Sequence, residues 1–288
     1  MPAISQLLVY PIKSCAGIAL DSVRLLPYGL EYDRNWMLVD PAGQFITQRR
    51  FAGLALVKVE IGASELIVRA PGMDELRTPL AASDLRGAEG VDATVWGDTV
   101  AALDTGPVTA RWFSAFLGTP VRLVRFDPSA QRLANRKWTG DLDVPTQFAD
   151  GYPLLVIGQA SLDDLNERLT RKGATAIPMN RFRPNIVVTG MEAYEEDYVE
   201  TFRSEGGGAI ELRVVKPCAR CPMPTIDQAT GAPDPQWPNE PTDTMSAYRA
   251  NSLLDGALTF GQNAIVVAGA GAQLAVGQTF DAELGFAG

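Results

Sequence analysis

The chain has 288 residues, enough for one large domain or two ordinary ones, and its makeup (46% hydrophobic, 20% charged, 8% aromatic) is that of a folded soluble protein. A formal net charge of −9 speaks against a general binder of nucleic-acid duplexes or anionic membranes, because phosphate surfaces demand a basic footprint. With no histidine and only three cysteines, the sequence excludes a Ser-His-Asp triad, a Cys-His protease, His-ligated zinc and an imidazole base; it also argues against a disulfide framework and fits a reducing cytoplasm.

The N-terminus, Met1 to Gln6, lacks the basic start of a secretory signal, and no run reaches membrane-spanning length without polar interruption, so no membrane contact is expected. Gln6 to Ile12 is a short apolar run closed by proline. Asn35–Val39 and Gln44–Thr47 flank the turn tetrapeptide Asp40-Pro41-Ala42-Gly43 and read as a hairpin. Leu54–Ile61 and Glu65–Arg69 are two further strand candidates. A helix is expected from about Val108 to Leu117, started by Pro107 and ended by Gly118, with Trp112, Phe113 and Phe116 on its apolar face. Val121–Phe126 resumes strand character. The polar stretch Asp127–Gln147 is the weakest part of the pattern, and a domain boundary is placed near it, giving domains 1–120 and 121–288. Pro153–Ile157 reads as a buried strand. The helix that follows runs from Ser161 to Leu169, with Ser161 as N-cap, Asp164 as its capping-box partner, Leu162, Leu165 and Leu169 on one face and Gly173 as terminator. Strands are expected at Asn185–Val188, Ala209–Val215 and Ala264–Ala268, and a surface loop at Thr230–Thr244. The result is a mainly β protein with peripheral helices (α+β), built as two β-rich units without the strand–helix alternation of a doubly wound fold.

The chemistry concentrates in Lys216-Pro217-Cys218-Ala219-Arg220-Cys221-Pro222-Met223-Pro224-Thr225-Ile226-Asp227. Its C-x-x-C pair admits four readings. Half a zinc site would need two more ligands, and only Cys15 and carboxylates remain. A thioredoxin-like dithiol needs a helix N-terminus, which Pro222 and Pro224 oppose. Two structural thiols in a turn are the plain reading. The fourth is a single thiolate holding a metal cofactor, with Arg220 offsetting negative charge.

Other segments carry weaker signals. Lys13 and Ser14, between Pro11 and Gly17, suit an anionic oxygen such as phosphate, or form an ordinary turn with a solvated lysine. Arg34 at one end of the expected hairpin and Arg49-Arg50 at the other are edge charges or a guanidinium clamp. Arg183 and Asn185, in Arg181-Phe182-Arg183-Pro184-Asn185, flank a proline that holds the backbone before a strand. Ser161 is an N-cap or part of a helix-start anion site.

In combination these segments are specific. Y-P-I-K-S-C-A-G-I, D-R-N-W-M-L-V-D, A-S-L-D-D-L-N, R-F-R-P-N-I-V-V, C-A-R-C-P-M-P-T-I-D-Q-A-T-G and F-G-Q-N occur in this order. From Lys13 to beyond Gln262 the chain resembles the MOSC family (molybdenum cofactor sulfurase C-terminal domain) with its N-terminal β-barrel companion, and within it the amidoxime-reducing component and YcbX-type branches. The resemblance implies two β-barrel domains and a molybdenum cofactor (Mo-molybdopterin) whose metal is held by Cys221. It implies that Lys13, Ser14, Arg34, Ser161, Arg183, Asn185 and Arg220 surround the pterin and its phosphate. It implies a reductase acting on small N-hydroxylated compounds such as amidoximes, hydroxylamines and N-hydroxylated bases. Asp227 is then a proton carrier or a loop-structuring carboxylate. YcbX-type proteins carry a C-terminal iron–sulfur domain; no cysteine follows Cys221 here, so electrons are expected from a separate donor protein of iron–sulfur, flavin or cytochrome b5 type. Two rival readings are sulfur transfer through a Cys221 persulfide and a non-catalytic carrier of the cofactor.

Overall fold

Strands covered on both faces show no alternation, and two such runs organise this molecule. Trp36–Val39 and Leu154–Gly158 are buried at every position. The computed structural model describes residues 1–85, 88–204 and 209–285. The elements used below, in chain order, are β1 (Ala3–Val9), β2 (Ile18–Leu20), β3 (Ser22–Leu26), β4 (Trp36–Val39), β5 (Lys58–Ile61), β6 (Glu65–Arg69), β7 (Leu76–Pro79), β8 (Gly90–Val95) and β9 (Asp98–Asp104). Then come α1 (Pro107–Leu117), β10 (Arg122–Phe126), β11 (Leu154–Gly158), α2 (Gln159–Lys172), β12 (Ile186–Thr189), β13 (Val199–Arg203), β14 (Glu211–Ala219), β15 (Ala257–Ala268), β16 (Gln273–Ala275) and β17 (Asp281–Leu284).

The large sheet runs β2-β1-β12-β11-β15-β14-β13-β17. All its neighbours are antiparallel except β11 and β12, which α2 connects as a βαβ unit in the register Val156↔Ile186. A second sheet runs β4-β10-β9-β8, and β5-β6-β7 forms a meander beside it. Pairing crosses residue 120 in both directions. β1 lies against β12, β3 pairs with β16, and β10 pairs with β4 and β9. One core, with Leu7, Val156, Ile186, Phe202, Leu212 and Phe280, packs on the large sheet. Another, with Ile12, Cys15, Trp36, Leu54, Val68, Phe113 and Leu123, fills the N-terminal unit. Each such side chain contributes about 1.5–3 kcal/mol on burial.

The mainly β reading holds, and α1 starts at Pro107 and stops at left-handed Gly118 (φ 66°) as expected. Several local expectations need correction. Gln44–Thr47 is no strand; only Gln44 and Phe45 make isolated bridges, because Asp40 Oδ1 accepts from the N–H groups of Ala42 and Gln44 and ties the turn. Leu54–Leu56 belongs to a 3₁₀ turn, Ala52–Leu56, and the strand begins only at Lys58; an unbroken apolar run carries no period to separate the two. The expected loop at Thr230–Thr244 gives way at Thr242 to the short helix Thr242–Ser246.

Ser161 does not cap α2. The helix begins two residues earlier, with Gly158 as N-cap. The acceptor comes from outside: Glu196 Oε1 takes the Gly158 N–H at 3.1 Å, and Glu196 Oε2 takes the Ser161 hydroxyl at 2.7 Å. Asp164 pairs with Arg168 and the Tyr194 hydroxyl instead of closing a capping box.

Candidate functional site

Two loops from the N-terminal unit are stitched together first. The chain leaving β1 donates Lys13 N–H to Trp36 O (2.8 Å), while Arg34 N–H and Trp36 N–H reach back to Tyr10 O and Pro11 O. Asp33 Oδ1 accepts the Tyr10 N–H at 2.8 Å, and its other oxygen pairs with Arg34. The C-terminal unit supplies the turn before β12 and the end of β14. β14 carries three register shifts against β15 in its Glu211–Ala219 span, and such bulges bend a strand and re-aim its side chains. Within F-G-Q-N, Gly261 has φ 76°, and a Cβ there would lie 2.5 Å from Ile157 Cγ1 and 2.9 Å from Val156 O, so only glycine lets β15 lie this close to β11.

These segments enclose a cavity of about 330 Å³ whose walls include Lys13, Ser14, Arg34, Arg49, Trp96, Asp150, Arg183, Asn185, Lys216, Arg220, Cys221 and Asn263. Six cationic side chains face one carboxylate, Asp150, in a protein whose net charge is −9. Ser14, Arg34 and Arg183 adopt left-handed φ values of 69°, 52° and 58°, a strained conformation for residues with side chains.

Arg34 and Arg183 both stack on the Tyr10 ring, at 4.8 and 4.2 Å from its centroid. Asn185 is spent on structure: its Oδ1 accepts from Leu155 N–H and Arg34 Nη1, and its Nδ2 donates to Leu8 O. Arg183 is 7% exposed and has no carboxylate at ion-pair distance among the described residues; burial and the like charge of Arg34 push its pKa down. Burial also lowers the pKa of Lys13, against the pull of Asp150, whose Oδ1 accepts from Lys13 Nζ at 2.5 Å. For Asp150, desolvation acts upward, but Lys13, Arg34 and the Trp96 N–H outweigh it and hold the carboxyl well below its usual range. Arg220 donates from Nη1 to Cys218 Sγ at 3.0 Å and from Nη2 to Phe182 O at 2.7 Å, while its buried Nε has no partner. Unpaired buried cations cost folding energy and favour an anion in their midst.

The three thiols do not converge. Cys15 is buried in the N-terminal core, where burial pushes its pKa up to about 12. Among the described residues no group of three or more His, Cys, Asp or Glu is arranged to hold a metal ion. Cys218 lies one residue before the end of β14, Cys221 lies in the turn after it, both line the cavity, and a 3₁₀ turn (Met223–Thr225), not an α-helix, follows them.

Of the residues singled out in the sequence, Lys13, Ser14, Arg34, Arg183, Asn185, Arg220 and Cys221 line the cavity; Ser161 and Asp227 do not. Ser161 is fully buried against Glu196. Asp227 accepts from Arg181 Nη2 (2.9 Å) and from the N–H groups of Ala229 and Thr230, which is the arrangement of a loop-structuring carboxylate. Gln228 beside it pairs with Gln48, whose Nε2 also donates to Ser14 O, so the loop after Cys221 is fastened to the loop bearing Lys13. Sequence reasoning missed Trp96, Asp150, Lys216 and Asn263. Asn263 closes the F-G-Q-N segment and Lys216 opens the cysteine segment, so both were within reach; nothing in the sequence marked Trp96 or Asp150.

Comparison with known proteins gives two matching family models, the MOSC N-terminal beta barrel domain over residues 1–120 and the MOSC domain over residues 143–281. The chain is 37% identical over 256 residues to mitochondrial amidoxime reducing component 2 of Bos taurus, covering 85% of this chain and 72% of that one. It is 35% identical to the Homo sapiens component 2 and 31% identical to the Homo sapiens component 1, each match covering 85% of this chain and 72% of the relative.

Proposed function

The chain belongs to the MOSC family, and from this we propose that it is a molybdenum-cofactor-dependent oxidoreductase that reduces small N-hydroxylated compounds. The observation that carries this reading is the cavity: six cationic side chains against one carboxylate, gathered around the half-buried thiol of Cys221. The residues fit a large anionic cofactor. Arg183 lines the cavity and has no carboxylate partner among the described residues, which leaves its charge to meet phosphate or pterin oxygens. Cys221 would be the soft ligand for the metal. Lys13, Ser14 and Arg34 would offer positive charge and donors to the cofactor's phosphate, with Asn185 Oδ1 accepting from the Arg34 guanidinium. Arg220 and Arg183 would offset the negative charge of the bound group.

The bound cofactor would supply a two-electron centre able to accept an oxygen atom. The net reaction breaks the substrate N–O bond; two electrons and two protons enter, and water and the reduced amine or amidine leave. Ser161 and Asp227 act at a distance, one by anchoring the first turn of α2 and the other by holding the loop behind Cys221. Electrons come from a separate donor protein. Among the described residues no helix is long and apolar enough to cross a membrane.

The test is molybdenum content together with turnover of benzamidoxime driven by reduced methyl viologen. Stoichiometric molybdenum with viologen-driven turnover, and none with NADH alone, supports the reading. Molybdenum without turnover makes the protein a cofactor carrier. A persulfide on Cys221 without molybdenum makes it a sulfur-transfer protein.

A further inference from the structure

Arg125 brings a positive charge to the core face of the N-terminal unit. It pairs with Trp36 across β10 and β4, so its side chain shares the face that Leu123 and Leu38 give to the apolar core. The guanidinium lies 5.2 Å from the Trp36 ring centroid, Nε donates to Leu80 O at 3.1 Å, and Nη1 reaches Phe126 O at 3.5 Å. Arg125 is 9% exposed, yet among the described residues it has no carboxylate at ion-pair distance and its Nη2 makes no hydrogen bond. It opens into a second cavity, of about 440 Å³, which shares no lining residue with the cysteine-lined one. Asn35, 5% exposed, stands in the same wall; its amide makes no hydrogen bond among the described residues, and its Oδ1 is buried and unpartnered. Glu31 and Asp84 also line this cavity, and neither pairs with a cation among the described residues. Tyr28 senses both signs of charge: after burial, Glu31 pushes its pKa up and Arg125 pulls it down. An uncompensated buried cation beside an unused amide costs folding energy, and a ligand that meets them recovers it.

We propose that this cavity binds a small aminocarboxylate, with its carboxylate on Arg125 and Asn35 and its ammonium toward Glu31 and Asp84. The site involves neither Cys221 nor the cationic cavity around it. A simple anion would meet Arg125 but also two carboxylates, and a simple amine would meet the carboxylates but also a guanidinium. A molecule that carries both charges satisfies both. Tyr28, Tyr32 and Leu80 give the apolar wall that a short methylene chain needs, and the volume is of the order that small-ligand sites enclose.

The experiment is calorimetric titration of the protein with glycine, β-alanine and 4-aminobutyrate, and with butyrate and butylamine as single-charge controls. At least one aminocarboxylate binds with a Kd of about 1 mM or tighter, and about tenfold or more tighter than either control. Its affinity falls about tenfold or more in Arg125→Gln and about three- to tenfold in Glu31→Gln and Asp84→Asn, and stays at the parent value in Arg183→Ala. Arg125 packs on Trp36, so its variant is checked by thermal melting; should it misfold, the half-buried Glu31 and the exposed Asp84 carry the test. The proposal is overturned if no aminocarboxylate binds at about 10 mM, if a control binds as tightly, or if both Glu31→Gln and Asp84→Asn bind as the parent does. A loss in Arg183→Ala equal to that in Glu31→Gln would put the ligand in the cysteine-lined cavity and overturns it as well.

Discussion

Cys15 and Cys221 carry the same thiol into opposite surroundings. Cys15 is packed among Ile12, Trp36, Leu54 and Val57, and burial with no stabilising charge strong enough to oppose it pushes its pKa up to about 12. It behaves as a small hydrophobe. Cys221 lies in a wall with Arg220, Arg183 and Lys216, where cations outnumber carboxylates. The contrast begins within one residue: Ser14 faces the cavity and Cys15 the core. The core gains stability by excluding charge, whereas the cavity wall holds strained backbone, desolvated guanidiniums and an unpartnered donor, features that weaken an empty fold and reward an anionic ligand.

Breaking the cavity side of this comparison has the largest effect. Cys221→Ser is expected to lower viologen-driven turnover per chain by more than about a hundredfold, with loss of molybdenum, since hydroxyl is a poor ligand where thiolate is preferred. Cys218→Ser keeps most of the activity; equal loss in both variants would mean the two thiols act as a pair. Arg183→Ala comes next. Cofactor retention after dialysis should weaken by about 2–5 kcal/mol, the cost of leaving a buried anion unpaired. The cofactor-free protein should melt no lower than the parent, because an uncompensated buried cation has been removed. A matching drop in the melting temperature of cofactor-free protein would make Arg183 a structural residue.

The core side yields smaller effects of a different kind. Cys15→Ser should cost about 1–3 kcal/mol in urea unfolding by burying a hydroxyl without a partner, while molybdenum per folded chain stays at the parent level. A loss of molybdenum at unchanged stability would place Cys15 with the site. The smallest effect belongs to Asp150, whose partner Lys13 is buried but whose own side chain is 71% exposed. Its folded pKa is depressed, so the contact contributes fully above the ordinary value of about 3.9 and is lost as pH falls below it. The stability gap between parent and Asp150→Asn should stay below about 1 kcal/mol, constant from about pH 8 to 5, and close only in stronger acid. A gap that closes near pH 6 would mean the carboxyl is not held down.

The sequence made legible what local chemistry controls. Pro107 and Gly118 bracket α1 because one lacks an N–H and the other tolerates φ 66°. Lys13, Arg34, Arg183 and Arg220 were readable because each stands beside a proline, a strand end or a cysteine. Ser161 misled, since a serine four residues after a strand looks like a cap until Glu196, 35 residues away, supplies the acceptor. Trp96 and Asp150 left no trace in the sequence because their partnership joins a hairpin tip to a loop 54 residues on. Their meaning comes from what faces them, and sheet pairing across distant segments decides that.

β1 has one further consequence, for the order in which the molecule can be made. The strand Ala3–Val9 leaves the ribosome well before its partner β12, which begins at Ile186, and the strand pairing with β3 begins only at Gln273. β2 can cover one edge of β1 at once, but until β12 arrives the other edge stays open, the setting in which nascent chains aggregate or recruit chaperones. The cavity inherits the same schedule, since Lys13 and Arg220 come together only after the chain between them has been synthesised. A product truncated before Arg220 lacks part of the cavity wall and is left with no complete anion site.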